Sequence, residues 1–408
     1  MKKLAVLMCC ALSANLSFGA GFALYEYSGR STAMGGAVMA NDAEPASLAN
    51  NPSLITELEG TQLQAGVTAV QAHAKTTVVH PLLGSQSRTL KDQIWLLPNM
   101  YATHKWSDDI SLGLGIFSRY GLGGTSKDHD TWVGSNFAYR VKLQTISFTP
   151  TIAIKANEQV SVAMGLEAMT IDFTQNAIHN APSTPDDKYK IQGTGIAWGG
   201  NFSLTYRPEW AEKWALGAMY RTKVKQQLNG RVNSTGDFTD INIHSGAAEG
   251  AITLPDSISA GLSFRPTDNW VLEAGIVGTF WSSYDQILIQ YKEISTGNPF
   301  IYPQKLYKDT YRLNFGAEYK LSATWALRAG YVFDKSPINK KAMDTLVPAD
   351  DRHIVSVGVG YKTDTWSVDA AYSHVFIQDL KGINTSNLPM KYSDGSSDMI
   401  ALTFGYKF

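Results

Sequence analysis

Period-two alternation runs from about residue 61 to the C-terminus. In the last segment Ile400, Leu402, Phe404, Tyr406 and Phe408 fall on one face, and Ala401, Thr403, Gly405 and Lys407 on the other. Tyr311, Leu313, Phe315, Ala317 and Tyr319 alternate in the same way with Arg312, Asn314, Gly316, Glu318 and Lys320. Successive side chains of a strand point to opposite faces, so each segment reads as a strand with one apolar and one polar or small face. The pattern predicts about 14 strands, near 61–77, 91–105, 109–120, 138–155, 159–175, 190–207, 213–229, 256–266, 270–281, 309–320, 325–334, 352–362, 365–375 and 397–408.

Alternation alone also fits a soluble sandwich. Three further features point to an all-β transmembrane antiparallel barrel. The connections alternate short (106–108, 156–158, 208–212, 267–269, 321–324, 363–364) and long (78–90, 121–137, 176–189, 230–255, 282–308, 335–351, 376–396). Short turns on one side and long loops on the other, with an even strand count, are the outer-membrane arrangement. Trp106, Trp210, Trp214, Trp270, Trp325 and Trp366 all sit at the short turns, where indole favours a membrane interface. The chain ends on an aromatic, Phe408, closing an alternating apolar strand.

Two segments fall outside the alternation. Lys2 and Lys3, the apolar run 4–12 and the small residues Ser17 and Gly19 read as a signal peptide over 1–19. The apolar run is too short for a membrane-spanning helix. Residues 20–60 are small and apolar with no period-two face and carry Pro45 and Pro52. They read as a disordered linker or as a compact N-terminal hatch. The hatch reading is preferred, because side chains alone do not fill the lumen of a barrel this wide. Residues 61–408 then form the barrel.

Composition narrows the chemistry. The chain has 35 Gly, 19 Tyr, 16 Phe and 10 Trp among 408 residues. An exported chain of this kind, with no apolar stretch of helix length after the signal, spans a membrane only as a closed barrel. Its only cysteines, Cys9 and Cys10, lie in the signal, so disulfides and thiol chemistry are excluded from the mature chain. A formal net charge of −1 and the lack of a basic patch give no support to a nucleic-acid partner. The eight histidines are scattered without metal-ligand spacing, no Gly-x-Ser-x-Gly elbow occurs, and the glycines of 121–124 lack phosphate-loop spacing. No enzyme, metal or cofactor is implied. The rivals are a general porin, a barrel hydrolase testable at His353 or His374, and an adhesin using the long loops.

The start Ala20-Gly-Phe-Ala-Leu-Tyr-Glu-Tyr-Ser28, then Gly35-Gly36-Ala37 and Asn51-Pro52-Ser53, resemble the FadL/TodX family of outer-membrane transporters. Matches continue in order through Pro98-Asn99-Met100, Ser118-Arg-Tyr120-Gly121-Leu122, Leu254-Pro255, Trp281-Ser282, Lys308-Asp-Thr-Tyr311-Arg312, Phe333-Asp334 and Asp351-Arg352. The resemblance implies a 14-stranded barrel with a hatch that takes up long-chain fatty acids or other hydrophobic compounds passively, with lateral exit at a kinked third strand. It implies that Asn51, Pro52 and Ser53 abut that kink at Tyr120 and Gly121. The family's last motif residue is alanine, and here it is Ser53. Phe22 and Leu24 are expected to line the substrate pocket, with Lys308 and Arg312 as candidate partners for a carboxylate. Asp172 stands where fatty-acid members carry a base, which raises a neutral aromatic or other hydrocarbon as the alternative substrate. Glu167, Arg221, Arg265, Glu273, Glu318 and Arg328 are expected to pair with each other and with the hatch. The partners are then a hydrophobic small molecule and outer-membrane lipid, and the chain is expected to act as a monomer.

Overall fold

In the computed structural model the alternating segments pair into one antiparallel sheet that closes on itself. The structure describes residues 21–408 except 180, 182, 185, 237–242, 244, 285–287, 292–299, 302–305, 346 and 348. The expected signal peptide, 1–19, lies outside the described residues. Fourteen strands make the wall. They are β1 (Thr61–His80), β2 (Gly84–Thr89 and Ile94–Lys105), β3 (Ile110–Phe117 and Gly121–Thr125), β4 (Arg140–Lys155), β5 (Val160–Ile178) and β6 (Lys188–Tyr206). There follow β7 (Trp214–Arg221 and Val224–Thr235), β8 (Gly246–Leu254 and Ser257–Phe264), β9 (Trp270–Thr279 and Leu288–Tyr291) and β10 (Thr310–Lys320). The last four are β11 (Trp325–Asp334), β12 (Arg352–Lys362), β13 (Trp366–Ile377) and β14 (Pro389–Lys407). β1 pairs with β14 from Gln62 opposite Lys407 to Val78 opposite Met390, so the sheet has no free outer edge. Closure supplies the internal partners that backbone groups need in lipid.

The faces are inverted relative to a soluble sandwich. On β14 Ile400 is 63% exposed and its neighbour Ala401 only 1%. Leu402, Phe404 and Tyr406 are exposed too, while Thr403 is buried. Apolar side chains face outward and small or polar ones inward, as lipid requires. The six tryptophans at the short turns are all exposed along one rim, whereas Trp95, Trp132 and Trp281 are buried. At that rim the Phe408 N–H donates to the Thr61 carbonyl, bringing the chain end beside the first strand.

Three expected long loops are shortened by strand at their ends. β1 and β2 continue as a hairpin with Lys75 opposite Thr89 and His80 opposite Gly84, so 78–90 is not a loop. β7 runs to Thr235 and β8 begins at Gly246, so the expected loop 230–255 is much shorter. β5 and β6 pair as far as Ile178 opposite Lys188, which shortens 176–189. These extensions carry polar residues outward, as at Arg231 and Thr235 of β7. They lack the lipid-facing apolar row by which the other strands are recognised.

Residues 21–58 lie within the barrel. Two short helices, α1 (Gly29–Ala33) and α2 (Ser47–Asn50), and a 3-10 turn (Pro52–Glu57) carry them. The Ser28 side chain caps α1 by accepting from the Ser31 N–H, and Asn51 caps the 3-10 turn by accepting from the Ser53 N–H. Pro52 occupies the first position of that turn, where its missing N–H costs nothing. The hatch touches the wall where the wall has no side chain. A Cβ on Gly217 would lie 2.0 Å from the Met39 carbonyl oxygen, and one on Gly330 2.4 Å from the Gly35 nitrogen.

The expected lumen pairings form. Glu318 bridges Arg30 of the hatch (3.0 Å) and Arg328 of β11 (2.7 Å). Glu273 accepts from the Met39 and Ala40 N–H groups. Asp42 pairs with Arg265 and with Lys320. Glu167 pairs with Arg119 at 2.7 Å. Arg221 donates to the carbonyls of Leu48 (3.4 Å) and Ala49 (2.8 Å). Buried charges require partners of this kind.

Candidate functional site

The wall is interrupted between β2 and β3. The two strands are in register only from Met100 opposite Ile116 to Lys105 opposite Ser111. Beyond that, residues 94–99 of β2 pair with β1, and Gly121–Thr125 of β3 pairs with β4. β2 and β3 meet again at the Leu90–Ser126 bridge, where the Lys91 N–H donates to the Thr125 carbonyl at 2.7 Å. The interruption has a local cause. The β3–β4 register steps from Phe117 opposite Ser147 to Gly121 opposite Gln144, one residue more on β3 than on β4. That is a bulge, which turns a strand away from its neighbour. Consecutive Arg119 and Tyr120 are both buried, against the alternation of a regular strand. The Tyr120 hydroxyl donates to the Pro255 carbonyl at 2.6 Å and its N–H to Thr145 Oγ1 at 3.1 Å. The kink therefore spans 118–120, directly before Gly121 rather than on it.

The hatch supplies the partner that β2 does not. Ala23 bridges Tyr120. The Leu24 N–H donates to the Arg119 carbonyl and the Gly121 N–H to the Phe22 carbonyl, both at 2.8 Å. Residues 22–24 thus act as a short substitute strand along the inner edge of the kink. Phe22 sets its ring edge-on among Trp281 (4.8 Å), Tyr284 (5.1 Å) and Tyr120 (6.0 Å), and Tyr307 closes the group at 5.2 Å from Tyr284. This aromatic group is part of a packed apolar region of the lumen, the chamber, that includes Leu143, Phe173, Tyr189, Ile191, Leu228 and Ile252. A cavity of about 20 Å³ lies among Phe173, Ile191 and Leu228 of this region. Leu24 packs in a neighbouring cluster with Trp95, Leu97, Val332 and Ile354.

A small cavity, about 40 Å³, adjoins the chamber. Tyr25, Tyr27, Asn50, Arg119, Tyr120 and Arg221 are among its lining. Arg119 is neutralised by Glu167, but Arg221 has only carbonyl acceptors among the described residues. Arg221 is 3% exposed, its Nη1 has no partner, and its guanidinium lies 5.2 Å from the centre of the Phe117 ring. Two buried guanidiniums, Arg119 and Arg221, thus lie near one carboxylate, Glu167, and a further carboxylate at this place would offset the cost.

The structure brings together Phe22, Leu24, Tyr120 and Gly121 along the kink and separates the remaining predicted residues from them. Asn51 and Ser53 do not abut the kink. Asn51 Nδ2 donates to the Met39 carbonyl (2.6 Å) and to Thr205 Oγ1 (2.9 Å), while the Ser53 N–H donates to Ser203 Oγ (2.9 Å). With Pro52 they hold the 3-10 turn against the lower half of β6. The reason is chain direction, since the hatch enters the lumen at the kink and descends before it reaches 51–53. Arg312 is buried against the Tyr25 ring at 4.4 Å and shares Asp334 (3.5 Å) with Arg352 (2.6 Å), away from the kink. Lys308 is exposed. Asp172 points outward from β5 and pairs with Lys142 at 2.7 Å, so it does not face a luminal carboxylate. His353 and His374 are on the outer face, beside Tyr331 and Asp398. Sequence reasoning missed Trp281, Tyr284 and Tyr307 as cage residues and Arg221 as a buried cation with no direct ion pair among the described residues. Trp281 was available in the Trp281-Ser282 motif, but nothing in one dimension joins it to Phe22.

The comparisons agree with this architecture. The chain is 26% identical to the long-chain fatty acid transport protein of Escherichia coli strain K12, with 100% of this chain and 98% of that protein covered. It is 24% identical to the putative outer membrane protein NMB0088 of Neisseria meningitidis, over 100% of this chain and 99% of that one. The crystal structure of a Pseudomonas aeruginosa FadL homologue has the same fold, with a TM-score of 0.83 at 19% identity over 95% of this chain and 100% of that one. The Pseudomonas putida toluene transporter TodX gives a TM-score of 0.72 at 18% identity over 95% of this chain and 99% of that one. The family model described as outer membrane protein transport protein (OMPP1/FadL/TodX) matches residues 10–408, and the chain is a Gram-negative outer-membrane barrel that belongs to this family.

Proposed function

We propose that this chain carries hydrophobic small molecules passively across the outer membrane, taking long-chain fatty acids or similar amphiphiles through the luminal chamber to a side exit between β2 and β3. The observation that carries the reading is the substitute strand. Residues 22–24 occupy the inner edge of β3 where β2 has left it, so withdrawal of three hatch residues uncovers a lateral opening. Phe22, Leu24, Tyr120 and Gly121 form the gate, and 51–53 anchor the hatch while its start moves. Lateral exit suits the cargo. Each buried methylene contributes about 0.8 kcal/mol, which leaving into bilayer retains and leaving into water forfeits. The E. coli relative is a long-chain fatty acid transport protein, and Arg221 supports a carboxylate here. The chain acts as a monomer in this scheme, since closure leaves no strand edge to be paired by another copy.

The second reading, a neutral aromatic hydrocarbon, is favoured by the cage around Phe22 and by the TodX likeness. Two substitutions test the scheme. Gly121→Trp should reduce uptake of a radiolabelled long-chain fatty acid at least tenfold in cells whose barrel still shows heat-modifiable gel mobility, and unchanged uptake excludes lateral exit. Arg221→Gln should weaken fatty acid binding about tenfold and leave toluene binding unchanged. Equal effects on both ligands would remove the carboxylate assignment.

A further inference from the structure

The wall has a second interruption on the other flank of the chamber. β6 and β7 are in register from Tyr206 opposite Leu216 to Asn201 opposite Arg221, and again from Thr194 opposite Asn229 to Lys188 opposite Thr235. Between these stretches residues 195–199 stay paired with β5 and residues 224–228 with β8, but the two are not in register with each other. The last bonds below the gap join the Thr222 N–H to the Gly200 carbonyl and the Gly200 N–H to Thr222 Oγ1, each at 2.9 Å. Here β7 rides over the glycines of β6. A Cβ on Gly195 would lie 2.3 Å from the Gln227 carbonyl oxygen, and one on Gly193 would lie 3.3 Å from the Leu228 Cβ. Close packing on glycine, instead of a ladder, closes this seam.

The inner side of the seam is apolar, and the outer side is mixed, apolar on β6 and with Lys225 and Gln227 exposed on β7. Met169, Ile171, Val224 and Leu228 stand inside it as part of the chamber. Ile196 and Trp198 stand outside it, 60% and 64% exposed on the lipid-facing row. An external cleft of about 660 Å³ lies in front, with Ile146, Thr170, Ile196 and Gln227 in its lining. One buried polar side chain crosses the seam. Gln226 Nε2 donates to the Met169 carbonyl at 2.8 Å, and its Oε1 has no partner.

We propose that the β6–β7 seam is a second side portal, through which slender apolar molecules pass between the chamber and the outer leaflet, with Gln226 as its latch. Parting a paired seam in lipid would strip ladder bonds from both strands. Among the described residues, the unladdered stretch of this one is held by packing on glycine and by the Gln226 side-chain hydrogen bond. The inference shares the chamber with the proposed function but is independent of the β2–β3 exit.

The test is a reversible staple. The Gly193 and Leu228 Cβ positions are close to disulfide range. The only native cysteines are Cys9 and Cys10, in the expected signal. In the Gly193→Cys/Leu228→Cys protein, oxidation should slow uptake of a radiolabelled long-chain fatty acid at least threefold, and reductant should restore it. Gln226→Ala should raise uptake at least twofold. Uptake indifferent to a formed disulfide overturns the portal; if the thiols do not join, an unchanged rate in Gln226→Ala does so. A staple that blocks uptake while Gly121→Trp does not would remove the β2–β3 exit and keep the seam. The converse result would keep the exit and remove the seam.

Discussion

Phe22 shows how one side chain joins fold to gate. Its ring is held on several sides by aromatic edges, and its carbonyl accepts from Gly121. The ring contacts anchor the backbone bridge, because three residues of strand have little stability alone. Truncating a buried Phe costs about 3–5 kcal/mol. Phe22→Ala should therefore loosen residues 22–24 and leave the barrel intact. Hydrogen exchange checks this: the Leu24 and Gly121 amides should exchange at least tenfold faster, with the β1–β14 amides unchanged. Protection at Leu24 equal to that of the parent chain would mean that the ring does not hold the gate shut.

Within the elements, glycine on the inner face of the strands decides where the hatch sits. Gly217, Gly261, Gly316, Gly330 and Gly358 meet hatch atoms at distances no Cβ tolerates. The alternation places these glycines on the small or polar face, and only the packed hatch explains why they carry no side chain. Gly217→Val would force the Met39 carbonyl and the Asn51 amide away from β7. The expected result is a measurable ion conductance in planar bilayers where the parent is nearly closed. A parent-like trace would place the seal elsewhere. Strand ends are harder to read than strand centres. The β7 and β8 extensions pair with each other beyond the apolar band, so their outward faces lose the row by which the rest of the wall is recognised.

For the whole molecule, the hatch is an internal ligand tethered by ion pairs to several strands at once. Burial opposes ionisation of Asp42, but Arg30, Arg265 and Lys320 outweigh it and hold its carboxyl well below the usual carboxylate range. A carboxyl depressed in the folded state contributes stability above its ordinary value, near 3.9, and loses it as pH falls through the folded value. Glu44 has the opposite sign. Burial, with Asp369 adding, raises its carboxyl against the opposing Arg30, so protonation of Glu44 favours the folded state as pH falls. The hatch should therefore stay seated from pH 7 to pH 5, read as constant protease resistance of residues 21–60. Asp42→Asn should make the same segment cleavable at pH 7. Release of the parent hatch by pH 5 would show that Asp42 is not the tether.

Much of this protein was legible in one dimension. Alternation with an apolar face, the parity of the connections, and tryptophan at the short turns specify a membrane barrel of about 14 strands, because lipid leaves a strand no other way to satisfy its backbone. The break in alternation before residue 61 marked the hatch, and the unpaired look of the luminal charges foretold their mutual neutralisation. Tertiary structure alone decided what touches what across the lumen. It brought Phe22 to Trp281 and Tyr284, put Asn51 and Ser53 on β6 instead of at the kink, turned Asp172 outward to Lys142, and left Arg221 without a direct ion pair among the described residues. Those outcomes depend on the path of the hatch and on register slips between neighbouring strands, and neither has a local period that a sequence can display.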